Sequence, residues 1–140
     1  MALENRALQI GDELPEVVTP PIDRLRIAYM AVSMRDPNLV HVEDAYAAKS
    51  GLPSVIAHGT FVTSYAGAAV SRAFGVDAVR KIRVDVTAPV FPGDVLRTHA
   101  VVTGSDPAPQ GRLLTIELTV TNQDGTRVGR GTAAVEQPSE

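Results

Sequence analysis

The residues best able to do chemistry lie in Arg35-Asp36-Pro37-Asn38-Leu39-Val40-His41 and, one short connection later, in Ile56-Ala57-His58-Gly59-Thr60-Phe61. A carboxylate and an imidazole on one short loop can hold a water molecule between them and pass protons in either direction. That is the minimum needed to add water across a double bond or to remove it. Both residue types also have plainer uses: Asp before Pro initiates turns and caps helices, and a loop His is often merely solvated. Spacing alone leaves the two readings open.

The neighbouring residues narrow the choice. Asp36-x-Asn38-x-x-His41, then Ala45-x-Ala47-x-x-Ser50-Gly51-Leu52-Pro53, then Ala57-His58-Gly59, resemble the hydratase motif of the MaoC-like, (R)-specific enoyl-CoA hydratase family. That family also includes bacterial (3R)-hydroxyacyl-ACP dehydratase subunits. It usually writes Asp-x-Asn-Pro-Ile/Leu-His, whereas here Pro37 comes early and Leu39 stands where Pro is expected. The resemblance implies syn hydration of a trans-2-enoyl thioester, of CoA or acyl-carrier protein, to the (3R)-3-hydroxyacyl thioester, or the reverse. No cofactor is implied. Asp36 and His41 would form the catalytic pair, with Asp36 the base on water and His41 its partner in proton delivery. The backbone N–H of Gly59 would stabilise the enolate oxygen. Asn38, His58 and Ser64 are candidates to support the motif. Each also has a structural reading: Asn38 as an Asx-turn residue, His58 as a residue that shapes the turn or bonds a neighbouring loop, Ser64 as a back-bonded helix serine.

These residues need elements to position them. Residues 3–14 read as a first strand or strand-turn element. After Pro20-Pro21, the apolar positions Ile22, Leu25, Ala28, Tyr29 and Val32 recur at helical spacing, predicting an amphipathic helix to about Ser33 that delivers the chain to Asp36. A brief helix is expected over Glu43–Lys49, stopped by Ser50-Gly51. Residues 60–74 carry Phe61, Val62, Tyr65, Ala66, Ala69, Val70 and Ala73 on a broad apolar face, the pattern of a helix wrapped by a sheet. Gly67 within it suggests close packing. From residue 80 the period becomes two, with Ile82, Val84 and Val86, and later Leu114, Ile116, Leu118 and Val120, alternating with polar residues. Breaks at 89–94, 104–111 and Asp124-Gly125 leave strands at about 80–88, 94–104, 112–122 and 127–136, expected as an antiparallel meander. The class is α+β, and the resemblance implies a hot-dog fold, a sheet around a long central helix. Gln137 to Glu140 reads as a disordered tail.

At 140 residues with 44% apolar content the chain is expected to be one domain with a single core. The net charge of −3, with signs interspersed, offers no basic stripe for nucleic acid. No cysteine is present, no apolar run approaches the roughly 18 residues of a membrane span, and the first residues do not read as a signal peptide. A soluble, cytoplasmic protein is the expectation. His41, His58 and His99 match no metal template in spacing, so no metal site is expected. Arg72, Arg80, Lys81, Arg83 and Arg97 are candidates to meet thioester phosphates, though scattered surface charge is the default. Tyr29 and Tyr65 suit core or tunnel positions. A hot-dog thioesterase would place its acid on the central helix, where residues 60–74 have neither Asp nor Glu. A non-catalytic acyl-binding subunit would not need Asp36 and His41 together. A lone hot-dog unit leaves a sheet edge open, so a dimer is expected, with an identical chain or a related subunit.

Overall fold

The computed structural model describes residues 7–138 of the chain. In order come β1 (Val17–Val18), α1 (Arg24–Ser33), a 3₁₀ turn at Leu39–His41, α2 (Asp44–Lys49), α3 (Gly59–Phe74), a 3₁₀ turn at Val76–Ala78, β2 (Val79–Val86), β3 (Arg97–Ala108), β4 (Gly111–Thr121) and β5 (Arg127–Pro138). The strands form one antiparallel sheet in the order β1-β3-β4-β5-β2. It curls around α3, which packs against β2, β3, β4 and β5. This is the hot-dog arrangement.

The core forms where the two periodicities meet. Leu114, Ile116, Leu118 and Val120 on β4 are fully buried and face a helix whose Phe61, Val62, Ala66, Ala69, Val70 and Ala73 are also buried. Close approach on β5 depends on glycine. A Cβ at Gly129 would collide with the Val62 side chain, and one at Gly131 with the backbone carbonyl of Arg83 on β2. Gly67 differs from expectation: an added Cβ would meet only Ile82 Cδ1, at an ordinary 3.8 Å. Close packing within the chain does not explain that glycine.

Several expected elements are corrected. The first named strand is β1, and the 3–14 segment ends as the strand-turn alternative, a turn at Ile10-Gly11 followed by backbone bonds between residues 11–14 and β3. Within that stretch Glu13 makes a single bridge to Val101, and residues 3–6 lie outside the described residues. The four strands are not a simple meander: β3, β4 and β5 are, but β2 joins the far side of β5. The 87–96 connection therefore crosses the end of the sheet instead of making a hairpin. The break foreseen over 104–111 shrinks to Pro109-Gln110, because β3 continues through Pro107 after a register shift between Val102 and Gly104. β5 reaches Pro138, and Gln137 accepts a bond from Arg112, so the ordered chain extends into the expected tail; residues 139–140 lie outside the description.

α1 starts two residues late, because Ile22 is held extended by bonds with Asp94 and Gly93, and Asp23 caps the helix by accepting from the Arg26 N–H at 2.8 Å. The helix turns only Ile27 fully inward. Leu25, Tyr29 and Val32, expected on its buried face, are 62, 64 and 77% exposed. The buried Ile22 and Ile27 fix the rotation of the segment, and the remaining apolar stripe finds no cover among the described residues. β2 shows the same effect: Val84 packs on the core, but Ile82 and Val86 are 40 and 47% exposed, because an edge strand has a neighbour on one side only.

Candidate active site

The end of α1 sets the position of Asp36. The Asp36 N–H reaches back to the carbonyl of Ala31 and the Arg35 N–H to that of Val32, while Arg35 adopts φ 53°. This is a Schellman closure with a non-glycine residue in the left-handed position. Asp36 then accepts from the Asn38 N–H through Oδ1 at 3.2 Å, leaving Oδ2 directed elsewhere. Asn38 caps the following 3₁₀ turn by accepting from the Val40 N–H at 3.1 Å. Leu39 occupies the first position of that turn, where an N–H has no partner within the turn. A proline, which lacks an N–H, would therefore also be compatible with this position.

His41 closes the turn, and its Nδ1 lies 2.7 Å from the carbonyl of Ile56. A carbonyl only accepts, so Nδ1 carries the hydrogen and Nε2 is left to act on its other neighbour. That neighbour is Asp36, with Oδ2 3.5 Å from His41 Nε2. The strip bearing Ile56 is pinned by bonds from the Ile56 N–H to Val40, from the Ala57 N–H to Val90, and from the Val55 N–H to the Asp44 carboxylate at 3.0 Å. Asp44 also pairs with Arg24 at 3.0 Å. The Val55 bond, and after it Arg24, hold its carboxyl below the usual 3.8. Sequence reading missed this brace, since Arg24, Asp44 and Val55 lie on separate segments.

His58 completes the cluster. Its ring stacks on His41 with centroids 3.7 Å apart and planes at 21°, and its Nε2 lies 3.8 Å from the same Asp36 oxygen. It is 3% exposed, and neither ring nitrogen has a hydrogen-bond partner among the described residues. Burial foremost, and then the neighbouring His41, push its pKa below the usual 6.5 against the opposing pull of Asp36. His58 thus stands at the turn into α3 with its ring against the Asp36–His41 loop, the two places the sequence reading offered for it. Gly59, the next residue, begins α3, so its N–H has no carbonyl one turn earlier within the helix.

His41, His58 and Gly59, together with Ile56, Val62, Val86, Ala88 and Val90, line a cleft of about 370 Å³, with Asp36 behind the imidazoles and outside the lining. A mostly apolar cleft with two imidazoles in its wall suits an apolar ligand that carries a polar group. Ser64 is exposed on α3 and is not part of this lining. The ligating atoms of Asp36, His41 and His58 lie within 4.8 Å of one another, a spacing that a divalent cation or a water molecule could span. The grouping weighed from sequence, with His99 in place of Asp36, does not form: His99 faces Glu13 at 3.6 Å.

Residues 7–124 match the family described as the MaoC like domain. The chain belongs to the MaoC-like family. Among solved structures, this MaoC-like chain is similar to the R-hydratase PhaJ1 of Pseudomonas aeruginosa, at 27% identity and a TM-score of 0.79, covering 95% of this chain and 84% of that one. It shares its fold with the (R)-hydratase of A. caviae, described as involved in PHA biosynthesis (21% identity, TM-score 0.82, 96% and 100% covered). It also shares its fold with a chain of the ChsH1–ChsH2 complex of Mycobacterium tuberculosis (20% identity, TM-score 0.80, 94% and 99% covered). No curated protein matches the sequence. Membership supports a hydro-lyase reaction on acyl thioesters. Among the described residues, no helix is long and apolar enough to cross a membrane.

The remaining sequence candidates fall outside the cluster. Arg80, Arg83 and Arg97 are engaged with Glu136, Asp85 and Glu16 respectively. Tyr29 is exposed, and Tyr65 packs half-buried against the core.

Proposed function

We propose that this protein catalyses reversible syn hydration of trans-2-enoyl thioesters to (3R)-3-hydroxyacyl thioesters, with Asp36 and His41 as the catalytic pair. The observation that carries the reading is the convergence of Asp36 Oδ2 and His41 Nε2 at 3.5 Å, with His41 Nδ1 already committed to Ile56. A water between them offers one hydrogen to each. As its oxygen bonds to C3, Asp36 takes a proton and the C2=C3 electron pair moves to the thioester carbonyl. The enolate oxygen is met by the Gly59 N–H and the positive end of α3. A proton returned through the pair to C2 on the same face completes syn addition and restores both groups. Roles exchange with direction, and the pair titrates as a unit.

The exposed β2 edge and its Ile82 and Val86 suit a second hot-dog chain, identical or related, that would cover this edge. The ChsH1–ChsH2 complex is a two-component precedent on the same fold.

The test follows the absorbance of the conjugated enoyl thioester with purified protein and short- and long-chain trans-2-enoyl-CoA. Wild type is expected to bleach it and yield the (3R) alcohol, while Asp36→Asn and His41→Ala lose roughly 10²–10⁴-fold in kcat. Bleaching unaffected by both substitutions would refute the assignment, and bleaching accompanied by release of free thiol, with no (3R) alcohol formed, would identify a thioesterase instead.

A further inference from the structure

We infer that His58 is a positioning residue for the hydration, orienting the Asp36 carboxylate through its Nε2–H and holding the His41 ring by stacking. This rests on the hydration reading. The imidazole stands at the N-cap position of α3, in an extended conformation at φ −63° and ψ 144°, yet gives no capping bond to the helix. Its ring is turned instead toward Asp36 and His41, the two titratable groups in contact with it. A residue needed only to fill this space would be better apolar, because two buried ring nitrogens without partners destabilise the fold.

Burial foremost, and the neighbouring His41 after it, disfavour a charged His58 ring against the pull of Asp36, and a neutral ring carries a hydrogen on one nitrogen. The negative carboxylate draws that hydrogen to Nε2, the atom 3.8 Å from Asp36 Oδ2. The other carboxylate oxygen is tied to the Asn38 N–H. Oδ2 is therefore addressed by two imidazoles while its partner oxygen is fixed by the backbone. The 3.8 Å approach is longer than a hydrogen bond, and catalytic contacts of this kind shorten when substrate closes the site. Asp36, with its side chain 38% exposed, has the freedom to make that adjustment.

The experiment compares wild type, His58→Phe and His58→Gln in steady-state hydration of a trans-2-enoyl-CoA. His58→Phe keeps the stack and loses the donor, and kcat is expected to fall about 10- to 100-fold, the worth of one hydrogen bond to a charged group, with KM changed less than about threefold. His58→Gln restores a neutral N–H donor and is expected to recover at least about tenfold of that loss in kcat. His58→Leu serves as a second donor-free variant should the Phe ring prevent folding, as judged by circular dichroism. Turnover by wild type and the donor-free variants alike, or equal kcat for the donor-free variants and His58→Gln, would overturn this inference alone. Absence of turnover by wild type would overturn the hydration reading and this inference with it.

Discussion

Replacing Gly59 by Ala separates what the residue does for stability from what it does for catalysis. Its φ is not in the left-handed region, so the backbone accepts a side chain. The added Cβ would lie 3.1 Å from Val86 Cγ2 and 4.0 Å from Val86 Cβ. Val86 belongs to an edge strand and is 47% exposed, so it can give by the few tenths of an ångström required. That adjustment costs little, and it is opposed by a gain of about 0.4–1 kcal/mol from the reduced freedom of the unfolded chain. Folding stability should stay within about 1 kcal/mol of wild type. The methyl group nevertheless stands beside the N–H proposed to receive the enolate oxygen and blocks close approach of the thioester. Loss of one such donor costs roughly 10²–10³ in kcat, about 2.7–4 kcal/mol of transition-state stabilisation. Urea denaturation measures the first quantity, and steady-state hydration of a trans-2-enoyl-CoA the second. A folded Gly59→Ala protein with kcat/KM within threefold of wild type would refute the placement of the thioester at α3. A stability loss above about 2 kcal/mol would refute the argument that Val86 can yield.

Two further outcomes follow from the same geometry. The lowered pKa of His58 means that, as pH falls through 6.5, the unfolded chain takes up a proton that the folded chain resists. Stability should therefore be fully present above 6.5 and decline below it until the folded imidazole also protonates. The urea midpoint should drop between pH 7.5 and 5.5, and by less in His58→Phe; an equal drop in both proteins would refute the attribution. Gly131→Ala would drive a methyl group into the Arg83 backbone carbonyl, forcing β2 away from β5, and should destabilise by about 3 kcal/mol or more in thermal or urea unfolding. A loss below 1 kcal/mol would show that the strands can separate freely there.

Much of this could be read along the chain because it is local. The alternation of Leu114, Ile116, Leu118 and Val120 identifies a strand wherever it lies, since side-chain direction alternates along any strand. The small and apolar residues of 60–74 identify a helix that is covered on most sides, and that helix is α3, Gly59–Phe74. Asp36 and His41 share a loop short enough that their proximity is nearly a property of the sequence. What exceeded local information depended on partners distant in the chain. The apolar stripe of α1 promised burial, but periodicity states only that a face is apolar, and the packing of Ile22 and Ile27 left Leu25, Tyr29 and Val32 outside. The pairing of β2 with β5 rather than β3 is set by how the sheet closes around α3, which no single strand encodes.

The cluster itself divides in the same way. A separation of five residues puts one carboxylate and one imidazole within reach of each other, and that much is a property of the sequence. Only the tertiary structure decided that a second imidazole, from the start of α3, stacks on the first with its nitrogens unpaired, and that Asp44 and Arg24 brace the strip that fixes the His41 tautomer. Those contacts join segments brought together by burial of a shared core, and the free energy of that burial belongs to the whole chain rather than to any motif within it.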